Sequence, residues 1–374
     1  MAMEKRHLYF YSDAQEWGGQ EILAARIANI LSKSGLYKVH FFFASFTFTE
    51  KLSHDVEKIH LPYHSQGPLP IIRDGLSSKA KIAKKIFKAN NAGSPEFNQL
   101  IICPGNIERC TPAVRAAKSL GLSVISYYPM AYTQKESKAK FGVFRDFLAL
   151  QIYPQISKWI VNTPYQEKLL RRFINKDTTV YQLPNPLTFK ENSPSRPPQK
   201  IDNIATIGRL YFGQKGQEII PELIKELSLK SVQFKVIGQG PDTEKFKDLV
   251  KQHNVQDHVE IIPWMSADQV HNLLRNNIDL LFIPSKFESG PIVLFEALQC
   301  GIPILAANEN YIKDYQLPNW MLYEPGNVKE AADKAKAIVA NWNTKEYESA
   351  RNNLFKGKSA QEFSQRVLEI FRDL

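Results

Sequence analysis

The chain has 374 residues, of which 43% are hydrophobic and 23% are charged. This length suits two ordinary domains, the composition excludes a disordered chain, and no apolar run reaches the roughly 20 residues that a membrane-spanning helix needs. The formal net charge of +10 is uneven, because residues 1–190 hold 26 Lys and Arg against 14 Asp and Glu, a balance of +12 against −2 for the rest. A basic first half favours an anionic partner over general solubility alone.

Three cysteines, at positions 103, 110 and 300, show no spacing typical of a metal site or a disulfide framework,. They indicate a reducing compartment. The N-terminus MAMEKRHLYFYS lacks the apolar region of a signal peptide,. We therefore expect a cytoplasmic protein.

In the first half, short apolar runs alternate with segments of helical periodicity. Gly18 and Gly19 precede the first helix. Strands are predicted at 7–12, 39–44, 100–103, 124–127 and 159–162, and helices at 20–32, 112–119 and 165–173. Strands separated by helices predict a parallel sheet with both faces covered. A domain is therefore expected over residues 1–190.

A proline- and serine-rich stretch, NSPSRPPQ at 192–199, predicts an interdomain linker over 191–200. The alternation then resumes, and a second doubly wound domain is expected over 201–358. Its strands are predicted at 204–207, 233–237, 259–262, 279–283 and 303–306, with helices at 216–227, 243–252, 267–276 and 291–299. The last segment, 359–374, is expected to be an amphipathic helix that crosses back to the first domain.

Residues 284–305, PSKFESGPIVLFEALQCGIPIL, carry the strongest chemical signal. A strand leads into a loop containing Glu288, and a helix is predicted to start at Pro291 and to contain Glu296. Glu296 lies among apolar residues, and a carboxylate in such a helix needs a partner. A ribose diol could donate to both of its oxygens. The alternative is that Glu296 faces solvent or pairs with a nearby lysine.

Two glutamates with seven residues between them, on a strand, loop and helix, resemble the signature of retaining glycosyltransferases of family 4, within glycosyltransferase group 1. Further segments resemble that family in the same order: IGRLYFGQKGQE (207–218), FKVIGQGPD (234–242), the stretch from 258 to 285, and upstream WIVNTPYQEKLLRRF (159–173) and VYQLPNPL (180–187). The resemblance implies an α/β protein of the GT-B fold, with two Rossmann-like domains facing across a cleft. The first domain would bind the acceptor, and the second the nucleotide-sugar donor.

The resemblance also implies roles for individual residues. Arg209 and Lys215 would clamp the donor diphosphate and neutralise the charge that builds there, unless they are ordinary surface cations. Glu288 would contact the donor sugar and Glu296 the ribose. Backbone groups that approach the donor are expected at Gly18, Gly19, Gly238, Ser289, Gly290, Pro291 and Ile292. The alternative for Gly18 and Gly19 is a plain tight turn.

The chain departs from the family pattern at two places. Where members commonly have E-G-F-G, it has Glu288-Ser289-Gly290-Pro291, and Pro291 lacks a backbone donor. The stretch VISYYPMAY (124–132) contains no histidine, and its tyrosines at 127, 128 and 132 could contact a substrate or pack in the core. Retaining chemistry tolerates this, because in the front-face mechanism the leaving diphosphate accepts the acceptor's proton.

The leading hypothesis is therefore a retaining hexosyltransferase that uses a UDP- or GDP-sugar and a glycan or lipid-linked acceptor in polysaccharide or glycoconjugate biosynthesis. No metal and no cofactor are expected. The alternatives are a sugar-nucleotide epimerase of the same fold and a non-catalytic nucleotide-sugar-binding protein. Binding of nucleic acid is not expected, because no recognised module is present.

A basic segment in the first half, SSKAKIAKKIFKANN at 77–91, suggests an anionic membrane as a partner at the inner face of the membrane. Its lysines lie at 79, 81, 84, 85 and 88, with Ile82, Ile86 and Phe87 between them. A helix here would have one apolar face and a cationic remainder, which suits a bilayer interface. The alternative is an ordinary surface helix that packs on the sheet through the same three apolar residues.

Overall fold

The computed structural model describes residues 5–15, 18–46, 49–65, 72, 78–189, 192–228 and 231–374. The chain forms two compact units. One comprises Met1–Asn185 together with Gln361–Leu374, and the other comprises Pro186–Ala360.

The first unit is built on a seven-stranded parallel sheet with the order β3-β2-β1-β4-β5-β6-β7. Its strands are β1 Arg6–Ser12, β2 Tyr37–Phe43, β3 Glu57–His60, β4 Gln99–Ile102, β5 Ser123–Tyr127, β6 Lys158–Val161 and β7 Thr179–Gln182. The helices between them are α1 Gly19–Lys33, α2 Ser78–Ala89, α3 Thr111–Lys118, α4 Gly142–Ala149 and α5 Pro164–Leu170. Its central strands are near-continuous apolar runs because helices cover both faces of such a sheet,.

The second unit contains a six-stranded parallel sheet with the order β10-β9-β8-β11-β12-β13. The strands are β8 Asn203–Ile207, β9 Gln233–Ile237, β10 Val259–Ile262, β11 Leu280–Ile283, β12 Ile304–Ala307 and β13 Leu322–Tyr323. The helices are α6 Phe212–Lys215, α7 Ile220–Leu227, α8 Thr243–Gln252, α9 Ala267–Asn277, α10 Ile292–Gln299, α11 Val328–Asn341 and α12 Thr344–Phe355. This is the strand order of a Rossmann fold. The two sheets confirm the predicted α/β class with two doubly wound domains.

The last helix, α13 (Ala360–Asp373), packs in the first unit. Phe363, Val367, Ile370 and Phe371 are buried in the same cluster as the residues of β1 and β2. The Phe371 ring lies 5.8 Å from the ring of Phe10 on β1. The four apolar residues recur at helical spacing, so one face of α13 supplies all of these contacts.

The segment predicted as a linker, 191–200, belongs to the second unit, and that unit begins at Pro186. The backbone N–H of Ser193 donates to the carbonyl of Gln299 at 2.7 Å, and that of Arg196 donates to the carbonyl of Gly301 at 2.7 Å. Its prolines prevent the segment from forming a ladder of its own, so its free donors bind the unpaired carbonyls at the end of α10 instead. The described part of this stretch is therefore hydrogen-bonded to the end of α10 in the second unit.

The helix predicted at 216–227 starts one residue later, as a 3-10 turn at Gln217–Ile219 that continues into α7. A separate short helix, α6, precedes it, and Gly216, whose φ is +68°, caps α6 and breaks the helical path between the two. A Cβ on Gly216 would lie 2.1 Å from the carbonyl oxygen of Pro284. Glycine is required here because the chain turns in the left-handed region and touches the loop after β11. The break thus brings two loops of the second unit into contact.

Candidate functional site

The ends of β8 and β11 define a crevice at the carboxyl edge of the second sheet. These strands are neighbours, with Leu280 paired to Ile204. The connection from β8 leads to β9 on one side of the sheet, while β11 leads to β12 on the other. The strand order therefore reverses between them, and this is where doubly wound sheets bind their ligands.

Lys215 and Glu288 meet at this crevice. The ammonium of Lys215, the last residue of α6, forms an ion pair with a carboxylate oxygen of Glu288. The hydroxyl of Ser285 donates to the same oxygen at 3.0 Å. The side chain of Glu288 is 7% exposed and that of Lys215 is 19% exposed. The pair therefore joins the loop after β8 to the loop after β11, with a cation at the edge of the crevice.

Arg209 also follows β8, but its environment differs. Its side chain is exposed, and its guanidinium lies over the ring of Tyr211, 5.4 Å from the ring centre. Its carbonyl accepts from the side-chain amide of the buried Gln217 at 3.0 Å. The backbone of Arg209 is thus fixed while its charged group faces solvent, as an anion-binding arginine requires.

Glu296 is buried on the first turns of α10, with 8% of its surface exposed. Burial raises the pKa of this carboxyl to about 7, and a hydrogen bond with the Thr188 side chain opposes the rise. Desolvation outweighs a single neutral donor, because a hydroxyl cannot replace the water that a carboxylate loses. Glu296 is therefore not a solvent-facing carboxylate, and within the part of the chain that the structure describes it forms no ion pair with a lysine.

The loop between the two glutamates has an unusual backbone. Gly290 has a φ of +156°, and Pro291 caps α10 instead of forming its first helical residue, which is Ile292. Ser289, Gly290 and Ile292 are partly exposed, while Pro291 is buried. The expected donor-facing residues thus lie at the N-terminus of α10, with Glu288 on one side and Glu296 within the helix.

The glycine turn after β9 packs directly on the loop after β8. A Cβ on Gly238 would lie 2.3 Å from the Gly208 carbonyl oxygen, and one on Gly240 would lie 2.2 Å from that of Leu210. Asp242 accepts from the backbone N–H of Phe212 at 2.9 Å. The turn therefore supports the backbone that carries Arg209 and leads to Lys215.

We expect Gly238→Ala to lower the free energy of unfolding by more than about 2 kcal/mol, because both the φ of +124° and the clash with Gly208 oppose a side chain,. Gly326→Ala is the matched control, since Gly326 has a φ of +81° but nothing within 4 Å of the added Cβ. It should cost only about 1 kcal/mol. Urea unfolding of both variants measures the difference, and equal costs would contradict the close packing.

Gly18 and Gly19 lie at the corresponding edge of the first unit, where the strand order reverses between β1 and β4. Gly18 is the N-cap of α1, and its N–H donates to a carboxylate oxygen of Glu21 at 2.9 Å. A negative side chain thus already lies at this helix N-terminus, where it satisfies an unpaired donor and the helix dipole. This geometry favours the tight turn over a phosphate-binding role.

The tyrosines at 127, 128 and 132 are buried, with 2%, 0% and 8% of their surfaces exposed. The Tyr128 ring lies 5.6 Å from that of Trp159 on β6. The packing alternative therefore describes Tyr127 and Tyr128. In the part of the chain that the structure describes, no group of three or more His, Cys, Asp or Glu residues could hold a metal ion, and no helix is long and apolar enough to cross a membrane.

Several residues at the site were missed from the sequence. Thr188 contacts Glu296, and Ser285 contacts Glu288. Thr188 precedes Glu296 by more than 100 residues, so no local pattern links them. Ser285 could have been identified from the sequence, because it lies two residues after β11 and three residues before Glu288. Trp264, just after β10, is 67% exposed at the same sheet edge, and its exposure had no sequence signal.

The parallel sheets, their Rossmann strand order and the crevice define a GT-B glycosyltransferase fold. The whole chain can be superposed on solved structures of this class. One is Anabaena HepE in complex with UDP-glucose, with a TM-score of 0.72 and 16% identity over 98% of this chain and 100% of that chain.

The sequence comparisons find similar proteins of the same kind. Residues 189–369 match the family model described as glycosyl transferases group 1. An uncharacterized glycosyltransferase of Haemophilus influenzae is 23% identical over 89% of this chain and 90% of that protein. The lipopolysaccharide 1,6-galactosyltransferase of Escherichia coli is 26% identical over 69% of each. The second half of the chain is thus similar to glycosyl transferases group 1, and most of the chain is similar to known glycosyltransferases.

Proposed function

We propose that the protein is a retaining hexosyltransferase that moves a sugar from a UDP- or GDP-sugar to a glycan or lipid-linked acceptor, in polysaccharide or glycoconjugate biosynthesis. One observation carries the proposal: the Lys215–Glu288 pair lies at the strand-order reversal of the second sheet, with Glu296 on the helix that follows. A related galactosyltransferase and a UDP-glucose complex of the same fold favour a hexose and a uridine nucleotide.

In this proposal Arg209 and Lys215 bind the donor diphosphate. As the bond between the sugar and the diphosphate breaks, negative charge builds on the leaving oxygen, and the two cations stabilise it. The incoming hydroxyl forms the new bond on the same face of the sugar and gives its proton to that leaving oxygen. No side chain is assigned as a base, so the protein acts through positioning and charge.

Glu288 orients Lys215 and contacts the donor sugar from the loop that contains Ser289, Gly290 and Pro291. Glu296 accepts from the two ribose hydroxyls, with Thr188 holding the carboxylate in place. Lys215, Glu288 and Glu296 all follow β8 or β11 at one edge of one sheet, which suits their binding a single nucleotide sugar.

The acceptor is assigned to the first unit, and the protein is placed in the cytoplasm at the inner face of a membrane. The +12 balance of residues 1–190 favours an anionic partner,. Curated relatives include a lipopolysaccharide galactosyltransferase and phosphatidylinositol N-acetylglucosaminyltransferases, whose acceptors are lipids by name. We propose no metal, no other cofactor and no nucleic acid as a partner.

A panel of UDP-, GDP- and ADP-hexoses tests the donor. The matching donor at about 100 times its Kd should stabilise the protein by about 2.7 kcal/mol, and the other nucleotides should do so less. Slow release of free sugar with retained anomeric configuration, followed by NMR in the presence of EDTA, separates a transferase from a protein that only binds. Conversion of the nucleotide sugar to its epimer without release of free sugar would indicate an epimerase. The absence of stabilisation by any donor would contradict the proposal.

A further inference from the structure

Helix α4 exposes the residues that a helix of a globular protein normally buries. Five of the six large apolar side chains of this helix and its two ends face solvent, with exposed fractions of 60%, 66%, 51%, 65% and 48% at Phe141, Val143, Phe144, Phe147 and Leu150, while Leu148 is partly buried. Its buried positions are instead Gly142, Arg145 and Ala149. A cluster of three aromatic and two aliphatic side chains on one surface indicates a docking site and not a packing requirement. We call these five residues the aromatic face.

Polar contacts, and not the aromatic face, hold α4 in place. The Arg145 Nε donates to both carboxylate oxygens of the fully buried Glu108, at 3.0 and 3.1 Å. The Asp146 carboxylate accepts from the backbone N–H groups of Gln134 and Lys135, at 2.6 and 3.0 Å. A Cβ on Gly142 would lie 2.7 Å from the Lys135 nitrogen. The helix is thus fixed to the loop 133–141 without using its apolar side chains.

That loop supplies cations beside the aromatic face. Lys135, Lys138 and Lys140 are exposed, and in the described part of the chain none of them forms an ion pair. The nearby carboxylates are engaged elsewhere, since Glu136 pairs with Arg172 and Asp146 binds backbone N–H groups. Aromatic side chains flanked by unpaired lysines match a bilayer interface, where rings lie at the headgroup level and lysines meet anionic lipid.

We propose that the aromatic face and the three lysines of the loop 133–141 bind the surface of an anionic lipid bilayer. The purpose of this contact, bringing the enzyme to a lipid-linked acceptor, rests on the proposed function, but the contact itself does not. A second copy of the chain is less suitable as the occupant, because a two-fold contact through this face would bring two lysine loops together.

The basic helix α2 is not equivalent. Its Phe87 is fully buried, and the ring lies 5.2 Å from Phe42 and 5.8 Å from Phe97. Phe87 therefore packs on the sheet, as the alternative for segment 77–91 stated, while Ile82 and Ile86 are only partly buried. α2 thus presents positive charge with two partly buried isoleucines, whereas α4 presents five exposed large apolar side chains.

The test is sedimentation of the full chain with phosphatidylcholine vesicles, with and without phosphatidylglycerol. The wild type should bind the anionic vesicles. Phe144→Ser with Phe147→Ser should lower the association constant by about 100-fold, because two aromatic rings no longer enter the interface. Leu36→Ser, at an exposed leucine directly before β2, should bind like the wild type.

A second pair of variants changes the net charge of the protein by the same amount at two different places. Lys135→Glu, Lys138→Glu and Lys140→Glu together should abolish binding, while Lys81→Glu, Lys85→Glu and Lys88→Glu on α2 should retain most of it. Two outcomes would overturn the proposal. One is an equal loss of binding in both triple variants, and the other is wild-type sedimentation of the variant with Phe144→Ser and Phe147→Ser. A wild-type dimer by light scattering that the double variant makes monomeric would assign the face to a second copy. Donor hydrolysis without vesicles, measured on the same variants, should be unchanged and reports on the proposed function separately.

Discussion

Replacing Lys215 by alanine is expected to lower kcat by about 100- to 1,000-fold with little change in the KM for the donor. The ammonium lies at the strand-order reversal. In the proposed function the leaving diphosphate gains charge there, so the contribution of Lys215 grows between ground state and transition state. Lys286→Ala is the matched control. Lys286 lies in the loop after β11, beside Glu288, but pairs with Glu218, so its loss should leave kcat within about threefold. Steady-state kinetics with the matching donor measure both.

The same variant also leaves the buried Glu288 without its cation, which by itself destabilises the loop,. The double variant Lys215→Ala with Glu288→Gln removes that penalty, because a neutral amide can still accept from Ser285. We expect the double variant to regain the stability of the wild type in urea while kcat remains low. A return of activity together with stability would assign Lys215 a structural role and not a catalytic one.

The helices and strands of the second unit were predicted closely because buried parallel strands appear in the sequence as short apolar runs. The strands at 233–237 and 259–262 and the helix at 243–252 have the predicted bounds. Parallel strands buried on both faces appear as short apolar runs, and turns with glycine or capping residues punctuate them. The bounds of these three segments therefore follow from their own residues.

α4 was missed for the opposite reason. Its apolar residues face solvent while Arg145 is buried against Glu108, 37 positions away in the sequence. Periodicity identifies a helix by the face that it buries, so a helix anchored by an ion pair gives a misleading pattern. The hydrogen bonds of the segment 192–199 were not predictable either, because their acceptors, Gln299 and Gly301, lie about 100 residues away.

The two glutamates show where sequence reasoning on the site ended. Both were identified from spacing, but their electrostatic environments depend on distant residues. Glu288 has a lysine partner from α6, after β8, whereas among the described residues the Glu296 carboxylate has a hydrogen bond with the hydroxyl of Thr188. The need for a partner followed from the apolar neighbours of Glu296. That the partner is neutral, and leaves the pKa high, depends on the tertiary fold.

This high pKa leads to the second prediction, that Glu296→Gln stabilises the protein at pH 8 and weakens donor binding. The pKa is about 7 in the folded chain against a usual 4.5. The folded state therefore binds the proton more tightly, and the resulting stabilisation, complete below about pH 4.5, is lost as the pH rises through 7. Glutamine carries no charge at any pH, so it avoids the loss. We expect a gain of about 3 kcal/mol at pH 8 and little difference at pH 4.

The ribose hydroxyls need the ionised carboxylate, since only that form accepts from both of them. Glu296→Gln should therefore raise the Kd of the nucleoside diphosphate by about 10- to 100-fold. In the wild type, binding should weaken below pH 7, by up to tenfold per pH unit. The exposed Glu222→Gln is the control, with no expected effect on either property. Urea unfolding at pH 4 and pH 8, with titration calorimetry over the same range, measures both effects. If the variant gains stability but binds the nucleotide like the wild type, the assignment of Glu296 to the ribose is wrong, and its burial has another cause.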